Sequence, residues 1–458
     1  MLQRSGCQHY RTPTPNLAAA QSSALLLAQV VRTVVPKNLQ VTNQRRLTLR
    51  LGWLVLALAA LAPPTSAAAA AATQVDGSNV PATRLRIVGG LGSLNQYTRL
   101  EEPFWRVTLP ALTAGNVQAD IVPFDRAGIR GQDMLRLLQQ GVVSFGTAPL
   151  NLAGTEDAVL AAVDLPGLNP DIAALRRNVA AFRPALAAHL RERHGLELLA
   201  VYTYPAQVVF CKQPFATLAD LRGRRVRVAG TTLADVAESL GAVPVLLPLA
   251  ETLPQMRAGT LDCAITGAMS GNTIGLHEVT GHLHSLALSW GLSLFAANGA
   301  TWSALSPALR SLLKQRLPLL ERDIWAAADR ETSEGAACNT GAPACKTGRL
   351  GQMQRVSPNS ADRTRLHELL GQTTLPRWLA RCGAGCAEVW NNTLAGPAGV
   401  TATTTTPATS TTSTTSTAPA TSTTPATTAP LAVPAPPAAR THREPGTSPA
   451  PANPPTGR

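Results

Sequence analysis

Arg225-Val226-Arg227-Val228 is the segment of this chain with the clearest chemical potential. Two valines alternate with two arginines, so a strand here buries one face and sets both guanidinium groups on the other. A guanidinium meets a carboxylate through two parallel hydrogen bonds, a match that an ammonium does not reproduce. Further on, Thr266 carries a hydroxyl that donates or accepts, and Gly267-Ala268-Met269-Ser270-Gly271-Asn272 follows it. Those glycines either let backbone N–H groups approach an anion or only shape a turn, and both readings stand. His277, His282 and His284 suggest a metal, and with it a secreted enzyme of α/β type. Yet the histidine after His277-Glu278 comes at i+5 instead of i+4, which takes it off the helix face that such a zinc site needs. Gly90-Leu91-Gly92 hints at a dinucleotide loop, but Asn95 stands where that fingerprint requires glycine. No nucleophile elbow surrounds Ser270, because Ala268 replaces its first glycine. Neither a catalytic residue, a cofactor nor a bound metal is therefore expected.

These residues need a scaffold, and the pattern between about 84 and 395 alternates strands with helices. Strands are predicted at residues 85–88, 117–122, 142–145, 206–211, 225–228, 243–247 and 261–265. Helices are predicted at 132–140, 171–194, 233–240 and 252–258. Such alternation implies parallel sheets covered on both faces. Two groups of strands, one on each side of Tyr204, imply two α/β lobes with a cleft between them. The first lobe is expected over 84–204 with a return segment near 286–310, the second over 205–285, and a C-terminal helical region with cysteines over 311–395. Tyr204 and Trp290 are the expected crossing points.

The ends have another character. Residues 1–66 carry seven basic residues and no acidic one, and the chain from Pro397 onward adds a further +2. Of a net charge of +13, only +4 remains for the middle, so the high pI does not argue for a nucleic-acid partner. Arg45, Arg46 and Arg50 precede an apolar run over 51–62, then Pro63-Pro64 and small residues. This is the order of a cleaved secretory signal within a 1–72 leader, and the run is short for a membrane span. A start downstream of Met1, such as Val41, would remove the residues ahead of the arginines. The Thr/Ala/Pro-rich stretch over 396–458 lacks large apolar residues and is expected to be disordered. Cys7 falls in the leader and six cysteines remain, an even number that suggests disulfides in an exported chain. Local pairing of Cys338 with Cys345 and of Cys382 with Cys386 is the first reading. Cross-pairing of the two segments and a zinc site using all four are the alternatives. Cys211 and Cys263 lie on strands that could be neighbours, as a bridge or as buried thiols.

Several motifs combine into a resemblance. Phe215, Asp220-Leu221-Arg222-Gly223, Arg227-Val228, the run from Leu240 to Val245, Glu251, and Gly259 with Asp262 occur in that order. Pro110, Thr113-Ala114-Gly115 and the segment from Gly131 to Gly141 fit more loosely. Over about residues 84–330 the chain is similar to the solute-binding proteins of tripartite ATP-independent periplasmic (TRAP) transporters. That resemblance implies an α/β, two-lobed periplasmic-binding-protein-like fold with a cleft between lobes. It also implies a periplasmic receptor that passes a small organic carboxylate to membrane permease subunits, with a ligand-sensing module as an alternative role. The family's carboxylate-binding arginine maps onto Arg227, near the carboxyl end of its strand, where ligands bind in open α/β sheets. Thr266 stands where many relatives carry an asparagine that contacts ligand, and Gln207 is neutral where relatives often place a basic or aromatic contact. Asn95, Thr147 and Asn272 complete the candidate ligand-binding set. Loss of the Arg227 side chain is expected to abolish binding and to leave the stability of the unliganded protein nearly unchanged.

Cleavage of the signal should place the mature N-terminus within residues 66–73, where small residues follow the prolines. N-terminal sequencing of exported protein checks this, and a terminus at Met1 or before the apolar run would refute it.

Overall fold

A computed structural model describes residues 79–403, so the leader and nearly all of the Thr-rich tail lie outside the described residues. Strands β1 (Thr83–Gly89), β2 (Val117–Pro123), β3 (Phe145–Pro149) and β4 (Leu196–Thr203) begin a first sheet. A second sheet collects β5 (Gln207–Cys211), β6 (Arg225–Val228), β7 (Val243–Leu246), β8 (Cys263–Gly267) and β9 (His282–Ser289). The chain then returns to the first sheet through β10 (Leu292–Asn298), and β11 (Gln354–Val356) joins the second. The strand orders are β2-β1-β3-β10-β4 and β11-β9-β5-β8-β6-β7. Two α/β lobes follow from this, joined where β4 runs into β5 and β9 into β10.

The sheets are mixed, whereas helical crossovers alone would make them parallel. β1 lies parallel to β2 and β3, and β6 to β7 and β8, but β10 is antiparallel to β3 and β4. β5 is likewise antiparallel to β8 and β9. The reason is geometric: a strand that passes straight from one lobe into the other has no crossover helix to reverse it. The return to the first lobe begins at Trp290-Gly291 and not near 286, because β9 is paired in the second sheet as far as Ser289. Strand position reads out in burial. β2, an edge, alternates buried and exposed residues, while β5 and β8 are buried throughout.

Helix α1 (Met134–Gln139) ends before Gly141, and α2 (Ile172–His194) starts at Asp171, whose carboxylate accepts from Ala174 N at 2.7 Å. Gly195 closes α2 in the left-handed conformation at φ 64°, which glycine adopts without steric cost. In the second lobe lie α3 (Thr231–Ser239), α4 (Leu249–Arg257) and the short α5 (Ala268–Thr273). The 33-residue α6 (Pro307–Asn339) runs past both lobes. Trp325 Nε1 donates to Val201 O at 2.8 Å in the first lobe, and Thr332 Oγ1 accepts from Ala206 N at 3.0 Å at the crossing. Asn339 Nδ2 donates to Ala268 O at 2.9 Å in the second lobe. At Gly335 a Cβ would collide with the backbone of Met269, so glycine is what lets α6 seat against α5.

The expected helical region over 311–395 divides its contacts between the lobes. In α7 (Ser360–Leu369), Asp362 accepts from Leu218 N at 2.9 Å and lies 3.0 Å from His284 Nε2. In α8 (Leu375–Cys382), Arg377 and Arg381 reach Asp235 of α3, while Trp378 Nε1 donates to Ala158 O of the first lobe at 2.6 Å. Among the described residues, no helix is long and apolar enough to cross a membrane.

The cysteines pair locally: Cys338 with Cys345, and Cys382 with Cys386 at the start of α9 (Cys386–Thr393). Cys211 and Cys263 face each other across β5 and β8 and are bridged. This last bridge closes a loop with a sequence separation of 52, against 4 for Cys382–Cys386. Loop-closure entropy assigns about 4 kcal/mol to the first and about 2 kcal/mol to the second. The double variant C211A/C263A should therefore lose more thermal stability than C382A/C386A, as read by calorimetric melting. Equal losses would mean that the long loop is already restricted in the unfolded chain.

Candidate ligand cleft

A cavity of about 480 Å³ lies between the lobes where the parallel strands of the second sheet end. Arg227 enters it from β6. The residue is 4 % exposed, with its neighbours Val226 and Val228 fully buried in the sheet. Its Nε donates to Leu247 O at 2.9 Å, just beyond β7, and Nη1 donates to Ile265 O at 3.0 Å on β8. Among the described residues no carboxylate pairs with it, and burial alone lowers its pKa to about 10. It therefore remains a cation at neutral pH. Its neighbour Arg225 has a different fate, because Asp262 neutralises it at 2.7 Å on the exposed side.

Thr266 and Gln207 line the same cavity. Gln207 is held in place, since Nε2 donates to Pro205 O and Trp290 O, each at 3.1 Å. The other three candidates are not brought to the cleft, because their polar groups are used elsewhere. Asn95 Nδ2 donates to Glu331 Oε1 at 2.8 Å, on α6. The Thr147 hydroxyl donates to Glu101 and is fully buried. Asn272 donates to Asn339 Oδ1 at 3.2 Å and accepts from Arg349 N at 2.8 Å, tying α5 to the C-terminal region.

Sequence reasoning passed over Tyr204 and Ser270 as lining groups, and also Asn151 and Gly230. Asn151 Nδ2 donates to Ala229 O at 3.0 Å across the lobes. A Cβ on Gly230 would lie 2.9 Å from Asn151 O, so glycine permits this approach. Gly230 also stands at the start of α3, whose first N–H groups lack a side-chain cap and favour a nearby anion. The signal available was the glycine placed between a strand and a helix, two residues after Val228.

Two carboxyls brace the frame behind the cleft. Asp164 accepts from Trp290 N at 2.9 Å and Gly291 N at 2.7 Å, at the second crossing. Glu101 accepts from Gly90 N at 2.8 Å and from Thr147. Burial pushes each of them up to about 7.

His277, His282 and His284 do not converge on one point. His284 is buried between Asp362 and the ring of Phe215, and His277 sits beside Asn272. Among the described residues, the group that could hold a metal is Asp157 with His189 and His194. Both imidazole Nε2 atoms lie on Asp157 Oδ2, at 2.5 and 2.7 Å. Burial opposes ionisation of Asp157, but the bonds to His189 and His194 outweigh it and hold the carboxyl well below its usual range. The buried Nδ1 of His194 has no partner, whereas a metal-bound imidazole normally donates its other N–H. The cluster reads as a tie between the end of α2 and the turn at Asp157.

Comparison with known proteins agrees with this geometry. The family model described as bacterial extracellular solute-binding protein, family 7, matches residues 97–336, slightly more than half of the chain. An extracytoplasmic solute receptor of Bordetella pertussis that binds pyroglutamic acid is similar in fold, with a TM-score of 0.59 at 21% identity. The match covers 68% of this chain and 99% of that receptor. A TRAP periplasmic solute-binding protein of Desulfovibrio salexigens with bound orotic acid also has a TM-score of 0.59, at 19% identity over 67% of this chain and 96% of its own. The ectoine-binding periplasmic protein TeaA of Halomonas elongata is 27% identical over 126 residues, or 27% of this chain. The chain spans little more than a third of that relative, 37% of its length.

The buried carboxyls make stability depend on pH. Glu101 titrates near 7 when folded and near 4.3 when unfolded, so its contribution is complete below about pH 4 and is lost as pH rises through 7. Glu101→Gln keeps an acceptor for Gly90 N and turns its amide toward the Thr147 hydroxyl. Relative to wild type, the variant should gain on the order of 2 kcal/mol between pH 5.5 and pH 8, as measured by denaturant melts. A constant difference across that range would mean that Glu101 is ionised throughout.

Proposed function

Because the chain belongs to the bacterial extracellular solute-binding protein family 7, the solute receptors of TRAP transporters, we propose that it captures a small organic carboxylate outside the cytoplasm and delivers it to a membrane permease. The observation that carries this reading is Arg227, a buried guanidinium without an acidic partner among the described residues, facing a cavity between two lobes. A buried cation left unpaired costs several kcal/mol, and a ligand carboxylate offsets that cost as the lobes close. Two guanidinium N–H groups are committed to backbone carbonyls, which fixes the plane of the fork and leaves the rest of its edge to the ligand. Thr266 and Gln207 are the proposed neighbouring contacts, with Tyr204 and Ser270 beside them. The role is binding without catalysis. Capture followed by release needs a hinge, and the two strand crossings supply the place for one.

The bonds to Leu247 and Ile265 revise the expected effect of mutation. Arg227→Ala strands two carbonyls, so it should lower the unliganded stability as well, by about 1–3 kcal/mol. Mass spectrometry of solute released from purified protein identifies a ligand, and calorimetry then compares the variants. Arg227→Ala should weaken binding about a hundred-fold or more, equivalent to about 3 kcal/mol. Arg227→Lys should recover part of this, since it restores the charge without the fork. Equal affinity in the parent and the Ala variant would overturn the carboxylate reading.

A further inference from the structure

Beyond the guanidinium, the walls of the cleft carry information about the rest of the ligand, on the premise that a carboxylate sits at Arg227. Arg227 is the buried charge among the lining residues. The other two lining charges, Asp125 and Arg130, are exposed residues. Arg130 is held by Asp133 at 2.7 Å, and Asp125 accepts from Gly92 N at 3.0 Å. Neither offers a second buried cation, and Asp125 repels a second carboxylate. The rest of the surface is largely apolar. Leu91, Leu94 and Phe124 come from the first lobe, and Leu246, Leu247 and Leu249 from the second. Leu94, Tyr204 and Leu249 pack together across the lobes as one buried cluster. Leu246 is 53 % exposed although it is a leucine on the cleft wall. Several lining amides are already engaged, Gln207 with Pro205 and Trp290, and Asn151 with Ala229.

Hydroxyls of a sugar acid set against these leucines would lose water without finding partners, at about 1–3 kcal/mol each. A second carboxylate would fare worse. A methylene gains about 0.8 kcal/mol on burial, which is about four-fold in affinity. We propose that the receptor takes monocarboxylates with an apolar body, aliphatic or aromatic, with the carboxylate on Arg227 and the body against the leucine walls.

Titration calorimetry on the purified, ligand-free protein tests this with butanoate, hexanoate, octanoate and 3-phenylpropanoate. The comparison compounds are glutarate, D-galacturonate and the neutral hexanamide. Affinity should rise by about four-fold per methylene along the aliphatic series until the cavity is filled. Hexanoate should exceed glutarate and D-galacturonate by at least about ten-fold, the loss of one unpaired polar group. Leu246→Asn should flatten the chain-length series. A flat series in the parent, or tighter binding of glutarate or D-galacturonate, overturns the apolar-body proposal and leaves the carboxylate reading intact. Hexanamide binding as tightly as hexanoate overturns the carboxylate reading itself. Failure of every anion in the set overturns both.

Discussion

A charge without a counter-charge governs this structure. Arg227 lies in a sheet between two buried valines, keeps its cationic state, and has two backbone carbonyls for company instead of an acid. Carbonyl dipoles orient a guanidinium but do not cancel its charge, which is why the proposed ligand is an anion. The contrast with Arg225 is instructive. Two positions earlier on the same strand, a guanidinium at the exposed end is neutralised by Asp262, and it ties the start of β6 to the residue before β8. Pairing, and not residue type, separates the two.

A charge held this way is useful only if the walls around it can part, and the frame is built to allow that. Each lobe has its own sheet, and the chain passes between them at Tyr204 and at Trp290-Gly291. Both passages are secured by groups outside the strands, Thr332 of α6 at Ala206 and Asp164 at Trp290 and Gly291. α6 touches both lobes, at Val201 in the first, at Ala206 by the crossing and at Ala268 in the second. Across the cleft the lobes meet through the Asn151 amide on Ala229 and through Leu94, which packs with Tyr204 and Leu249. A hinge at the crossings has to part this apolar cluster as well as the Asn151–Ala229 bond.

Much of this was legible in the strand and helix periodicity, because residues that repeat every two or every 3.6 positions report on their own element. The strands around Arg227 and the helix after Asp171 are legible in that way, whereas the crossing at Tyr204 is read from the grouping of strands on either side of it. What failed depended on partners distant in sequence. Thr147 and Asn95 look available until Glu101 and Glu331 are seen to occupy them, from 46 and 236 residues away. The apolar wall escaped notice for the same reason: Leu91 and Leu94, Phe124, and Leu246 to Leu249 come from separated stretches, each of which reads locally as ordinary core. Parallel sheets were over-predicted because a strand that continues straight into another lobe has the same local pattern as one that follows a helix.

Two buried acids near the crossings belong to the frame and not to the cleft. Glu101 and Asp164 are close enough to the frame to be structural, yet each spends its oxygens on backbone N–H groups, with a hydroxyl in addition at Glu101. Burial pushes both toward neutrality, to about 7, so a substantial fraction carries no charge at physiological pH. Neither lines the cleft that Arg227 enters, and burial alone shifts that guanidinium. Desolvation thus acts twice in this protein: it makes the arginine costly to leave unpaired, and it raises the pKa of the two acids that brace the frame.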